Sequence, residues 1–162
     1  AVLEQMFLLR RVEPWSVNRL SRIVKTPKLQ FLDSGLLSAL VGLNEVTAAE
    51  DRSLFGRVLE SYVYSELLKQ ATWAAGEYTL FTYRDKDQVE VDFVIEDGAG
   101  RVIGVEVKSA ASVRAGDLAG LRKVAGLAGK QWVAGIVLYD GSDTLPIGDR
   151  LWAAPISTLW SA

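Results

Sequence analysis

The chain has 162 residues, 49% of them apolar and 23% charged, a balance that suits one compact domain with a sizeable core. It contains no cysteine and no histidine, which excludes disulfides, zinc sites of the thiolate or imidazole kind, cysteine nucleophiles and a Ser-His-Asp triad. Carboxylates remain as metal ligands and select hard cations such as Mg²⁺ or Mn²⁺, while a formal net charge of -2 supplies no global pull toward nucleic acid.

Val2 to Leu9 reads as the end of an apolar helix, followed by an alternating stretch through Val12. The charge is uneven here. Arg10, Arg11, Arg19, Arg22, Lys25 and Lys28 face only Glu4 and Glu13, which fits either a basic surface or a salt-bridged edge. Lys28 to Leu32 reads as a short strand after Pro27. Asp33 can cap a helix from Ser34 to about Leu40, ending near Gly42. Residues 44–51 read as a polar connection. Apolar residues at three- and four-residue spacing, among them Leu54, Phe55, Val58, Leu59, Tyr62, Val63, Leu67 and Leu68, predict a long helix from Arg52 to about Ala74, closed by Gly76. Three strands follow, at Tyr78–Tyr83, Gln88–Ile95 and Val102–Val107, separated by polar and glycine-containing turns. A helix from about Ala115 to Ala128 ends at Gly129. An apolar strand then runs Trp132–Tyr139, and a last one about Arg150–Ala154, before a helical turn near Pro155–Trp160.

The order from residue 52 is α-β-β-β-α-β, for which a mixed sheet flanked by helices is the natural packing. The expected organisation is an N-terminal extension over residues 1–50 and a core domain over 51–162. No run of about 18 apolar residues exists, so no membrane span is expected. No secretory signal is visible, and a cytoplasmic protein is the expectation. The chain starts with Ala rather than Met and opens like the middle of a protein, so a piece of a longer polypeptide is expected.

Strand side chains alternate between faces. On that rule Val89, Val91, Phe93 and Ile95 share an apolar face with Ile103, Val105 and Val107. Glu90 and Asp92 then share the opposite face with Gly104, Glu106 and Lys108. One register that keeps this parity sets Asp92 opposite Glu106. Two carboxylates across a strand pair repel. A cation between them, a retained proton or a wet surface would each relieve them. On the metal reading Asp92 and Glu106 hold Mg²⁺, and Lys108 orients the attacking water or stabilises the phosphate. Gly104 leaves room for a ligand. The plainer reading is an ordinary charged hairpin face.

The segment VEVDFVIEDGAGRVIGVEVKS is similar to the PD-(D/E)xK nuclease signature, here Asp92 followed by Glu106-Val107-Lys108. The usual Pro before the Asp is replaced by Val91. The resemblance implies a restriction-endonuclease-like α/β (α+β) core and a further Glu from the first core helix, for which Glu60 in GRVLE is the match. Glu60 reads equally as a solvated position or a structural ion pair, and Glu66 lies on roughly the other side of that helix. A wider resemblance rests on PWSVNRLSRIVKTPKLQFLDSGLLSAL, FGRVLESYVYSELL, YRDKDQVEVDFVI and EVKS. These look like the uncharacterised C-terminal domain of bacterial and archaeal AAA-type ATPases, which implies an ATPase module preceding this domain as its partner. No G-x-x-x-x-G-K-[ST] is present, so no nucleotide site is expected in these residues. Lys25, Lys28, Asp33 and Gly35 belong to the same phrase. Asp33 and Gly35 can shape a helix entry, and the lysines can touch phosphate or the ATPase module.

Two functions follow as expectations. The first is Mg²⁺- or Mn²⁺-dependent hydrolysis of DNA or RNA phosphodiesters by Asp92, Glu106, Lys108 and Glu60, with Asp92, Glu106 and Glu60 as metal ligands. The second is a scaffold without catalysis that binds nucleic acid or protein and regulates the ATPase. A third use, oligomerisation through the five tryptophans, is weaker because most of them read as core.

Overall fold

A computed structural model describes residues 2–18 and 26–160 of the chain. Arg19, Arg22 and Lys25 of the basic stretch lie outside them. The chain opens with one helical turn, α1 (Val2–Gln5), and an antiparallel ribbon of β1 (Leu9–Val12) and β2 (Lys28–Phe31). Val12 and Gln30 are the buried residues of that ribbon.

Helix α2 (Ser34–Val41) starts and stops as its sequence dictates. Asp33 accepts the Leu36 N–H at 2.9 Å, and Gly42 closes the helix at φ 69°. The expected polar connection at 44–51 is instead a short helix, α3 (Glu45–Glu50). Asn44 accepts from the Val46 and Thr47 N–H groups, and the Thr47 hydroxyl accepts from the Asn44 N–H. This reciprocal box stabilises a helix too short to show a hydrophobic period. Asp51 then caps the long helix α4 (Arg52–Trp73) through the Leu54 N–H at 2.8 Å. The helix ends in extended backbone at Ala74, so Gly76 does not close it.

The strands β3 (Tyr78–Arg84), β4 (Glu90–Asp97) and β5 (Val102–Lys108) form an antiparallel meander. A 3₁₀ turn at Ala115–Leu118 leads into α5 (Ala119–Ala128), which crosses to β6 (Trp132–Tyr139), parallel to β5. The α-β-β-β-α-β order is therefore present. Two more strands, β7 (Leu145–Gly148) and β8 (Leu151–Pro155), complete a six-stranded mixed sheet in the order β3-β4-β5-β6-β8-β7. Strand β7 is not among the sequence expectations. It is a four-residue edge strand containing Pro146, with too little pattern to read and the composition that edges tolerate.

The hairpin does not have one apolar and one charged face, as strict alternation predicts. Both faces of the sheet are covered. On one, Val63, Tyr64 and Leu67 of α4 pack with Phe93 and Val105. On the other, Leu121 and Val124 of α5 pack with Val91, Val94 and Val102. Alternation fails because β4 carries one extra residue. Phe81 pairs with Val94 and Tyr83 with Val91, so Thr82 alone opposes Asp92 and Phe93. Such a bulge shifts side-chain parity along the strand, which puts Val91 and Phe93 in different cores.

Two glycines are fixed by packing. A Cβ on Gly120 would stand 2.0 Å from the Glu90 carbonyl oxygen, so α5 rests on β4 at that point. A Cβ on Gly104 would stand 2.7 Å from Leu121 and 3.0 Å from Trp132. The room beside Gly104 is thus filled by core side chains rather than left for a ligand. Trp15 and Trp132 are core residues, whereas Trp73, Trp152 and Trp160 are exposed, so most tryptophans are not core. The extension is tied to the sheet edge: the Trp15 N–H donates to the Thr82 carbonyl at 2.6 Å, and the Thr82 N–H to that of Glu13 at 3.0 Å. Among the described residues no helix is long and apolar enough to cross a membrane.

Candidate functional site

The bulge creates the site. The β4–β5 ladder runs from Glu96 opposite Val102 to Phe93 opposite Val105, and stops there. Continued one step, the same register sets Asp92 opposite Glu106. Beyond the last pair, Asp92 Oδ2 accepts the Val107 N–H at 2.8 Å. A side chain thus satisfies a backbone donor that the parted ladder leaves open.

Asp92 is half-buried, and its carboxyl is pushed up to about 8. Loss of solvation is the main cause, followed by the negative charges of Glu106 and Glu60; the Val107 N–H and the Lys28 ammonium pull weakly the other way. Glu106 is also raised by burial, against the pull of Lys108. Lys108 Nζ lies 2.9 Å from Glu106 Oε1 and 3.6 Å from Asp117 Oδ1. Burial works to neutralise the lysine, but Glu106, Asp117 and Asp92 together hold its ammonium above the usual range. The second Glu106 oxygen, Oε2, is buried and meets no protein donor. An unsatisfied buried carboxylate oxygen is costly, so its presence calls for a physical reason.

Glu60 projects from α4 and is otherwise engaged. Its Oε1 accepts from Lys28 Nζ at 2.5 Å and from Gln30 Nε2 at 2.7 Å, and Ser61 Oγ donates to Gln30 Oε1 at 3.1 Å. The structural ion pair is therefore the arrangement observed for Glu60, although its charge is still felt at Asp92. Glu66 pairs with Lys69 on the same helix. The structure thus brings together Asp92, Glu106 and Lys108 and holds Glu60 on the N-terminal ribbon. Among the described residues no three acidic side chains gather closely enough to hold a metal ion. Asp92 and Glu106 alone fit one: two oxygen donors in a poorly solvated place, one oxygen unpartnered, and a repulsion that a cation would relieve.

Three participants lie beyond the expected site. Lys28 and Gln30, two residues apart on β2, reach Glu60 across a separation of about 30 residues. Their i, i+2 spacing is visible in the sequence, but the partner is not. Asp117, at the entry to α5, carries no motif. A cleft of about 650 Å³ opens beside Asp92, between the ribbon and the β3–β4 hairpin, with Lys28, Arg84, Gln88 and Glu90 in its walls.

These features define a mixed α/β domain, a six-stranded sheet flanked by helices, with a poorly solvated acid pair and a lysine where two strands part. The chain belongs to the family described as a domain of unknown function (DUF4143), which matches residues 55–159. Residues 1–47 match a second family, also described as a domain of unknown function (DUF8612). Two relatives, Uncharacterized protein Mb2031c of Mycobacterium bovis and Uncharacterized protein Rv2008c of Mycobacterium tuberculosis, are each 26% identical over 153 residues. The match covers 94% of this chain and 33% of either relative, so the chain spans about a third of the length of the curated relatives it matches.

Proposed function

We propose that this is a nuclease-like domain of the PD-(D/E)xK kind, which hydrolyses nucleic-acid phosphodiesters with a divalent cation, Mg²⁺ or Mn²⁺. The observation that carries this reading is geometric: where the β4–β5 ladder ends, the same register sets Asp92 opposite Glu106, whose Oε2 is buried without a protein donor, and desolvation raises both acids. Lys108 compensates one of the two poorly solvated acids, and a cation would compensate the other. Asp92 and Glu106 would hold the cation, which when bound supplies an acidic water and charge neutralisation at the phosphate. Lys108, held by Glu106 and Asp117, would place its ammonium against the developing charge. Glu60 would join only by leaving Lys28 and Gln30. The α-β-β-β-α-β order supports the same reading, as does the resemblance to the C-terminal domains of AAA-type ATPases. On that resemblance the domain works with an ATPase module in a longer polypeptide.

A second reading is a scaffold that binds nucleic acid or protein without cleavage. It is favoured by the ion pairs that occupy Glu60 and Lys108. Calorimetric titration with Mg²⁺ and Mn²⁺, on the wild type and on Glu106→Ala, decides between them. Saturable binding lost in Glu106→Ala supports the nuclease reading and warrants a cleavage screen. A well-folded wild type that binds neither ion at millimolar concentration supports the scaffold.

A further inference from the structure

We infer that the cleft between the ribbon and the β3–β4 hairpin is a binding site for single-stranded nucleic acid, holding one unpaired nucleotide beside Asp92. The inference rests on the nuclease-like reading above and adds the form of the substrate. Asp92 is half-buried and lines the cleft. Its volume of about 650 Å³ falls in the range of small-molecule sites, about 300–1,000 Å³. That accommodates an unpaired nucleotide, as in enzymes that take a base out of the stack, and not a duplex.

The walls carry the groups a strand needs. Lys28 of the ribbon, whose ammonium also holds Glu60, and Arg84 at the end of β3 both line the cleft together with Asp92. Arg84 is bound to Glu90 at 2.9 Å and to the Gln88 side chain, both in contact with solvent. An exposed ion pair of this kind contributes little, so a phosphate can take over the guanidinium at little cost. Asp85 in the same wall is already matched by Lys123 of α5, so it adds no free negative charge. Pro14 and Pro27 supply rigid apolar surface for a base or sugar.

The test uses a fluorescein-labelled single-stranded oligonucleotide and the blunt duplex of the same sequence. Binding is followed by anisotropy in EDTA, at several salt concentrations, with wild type, Arg84→Gln and Arg84→Lys. The expected result is single-strand binding about tenfold or more tighter than duplex binding, weakened about tenfold in Arg84→Gln and largely kept in Arg84→Lys. Loss of one phosphate contact should also flatten the slope of log affinity against log salt by about 0.7. Equal or tighter duplex binding, no single-strand binding at low salt, or an Arg84→Gln variant that binds like wild type overturns the assignment. Metal calorimetry on the same samples separates the two claims. Metal binding without strand binding overturns the cleft alone, whereas strand binding without metal overturns catalysis and keeps the cleft.

Discussion

Asp92→Asn tests the origin of the site most directly. In the unfolded chain this carboxyl titrates near its ordinary value of 3.8, and in the folded protein near 8. Between those values the native state holds a proton that the unfolded state has lost. Stability contributed by this group is therefore fully present below about pH 4 and falls as pH rises toward 8, by at most about 1.4 kcal/mol per unit. Asparagine is neutral at every pH, and its side-chain oxygen can still accept the Val107 N–H. The variant should thus gain on the wild type as pH rises, with a ceiling of about 2.7 kcal/mol between about pH 6 and pH 8. Urea unfolding in EDTA reads this difference, with the buried Trp15 and Trp132 as fluorescence reporters. A difference that stays flat with pH would refute the buried-acid argument. So would an Asp92→Asn variant clearly less stable than wild type above pH 8, since that outcome assigns the charged carboxylate a structural role.

Other outcomes follow from the same geometry. Because Asp92 keeps its proton at neutral pH, Mg²⁺ or Mn²⁺ binding should release about one proton per ion. Affinity should then rise about tenfold per pH unit up to about 8, seen as calorimetric heats that differ between buffers; pH-independent affinity would contradict it. Lys108→Met removes the partner of a half-buried carboxylate and should cost about 1–2 kcal/mol in urea unfolding at neutral pH, near the low end for a lost charged partner because the lysine is about a third exposed. It should abolish any cleavage while leaving the circular dichroism spectrum native. Glu60→Gln should cost less than about 1 kcal/mol, since Lys28 is exposed and Gln30 keeps an acceptor. Gly120→Ala drives a methyl group into the Glu90 carbonyl and should cost about 3 kcal/mol, or roughly 10 °C in Tm by scanning calorimetry.

Most elements of this fold are legible because they are locally encoded. Caps at Asp33 and Gly42 mark helix ends through bonds between residues close in sequence. The long period of α4 and the apolar run of β6 identify themselves by composition. What escapes reading is short or tertiary. Helix α3 depends on a capping box rather than a period, and β7 depends on β8 for its pairing. The identities of Asp92, Glu106 and Lys108 are legible because one hairpin register brings them together. Their surroundings are not. Alternation predicts a wet charged face, whereas α5 covers Gly104 and burial raises Asp92.

The bulge explains why the surroundings matter more than the residues. In a regular hairpin Asp92 and Glu106 would be neighbours on an open face, where water would keep both ionised and Val107 would pair with backbone. The extra residue in β4 falls where the β4–β5 ladder ends, on the Asp92 side of Phe93, and there the Val107 N–H goes to a side chain. It also turns Val91 under α5, where Gly120 lets the helix close down on the strand. The helix contact and the raised acid thus have one cause. Restoring regular pairing by deleting Phe93 would therefore be expected to lose the perturbed acid together with the α4-side core. Changing Asp92 alone leaves the parted strands in place, and for that reason Asp92→Asn rather than a backbone change isolates the chemistry of the site.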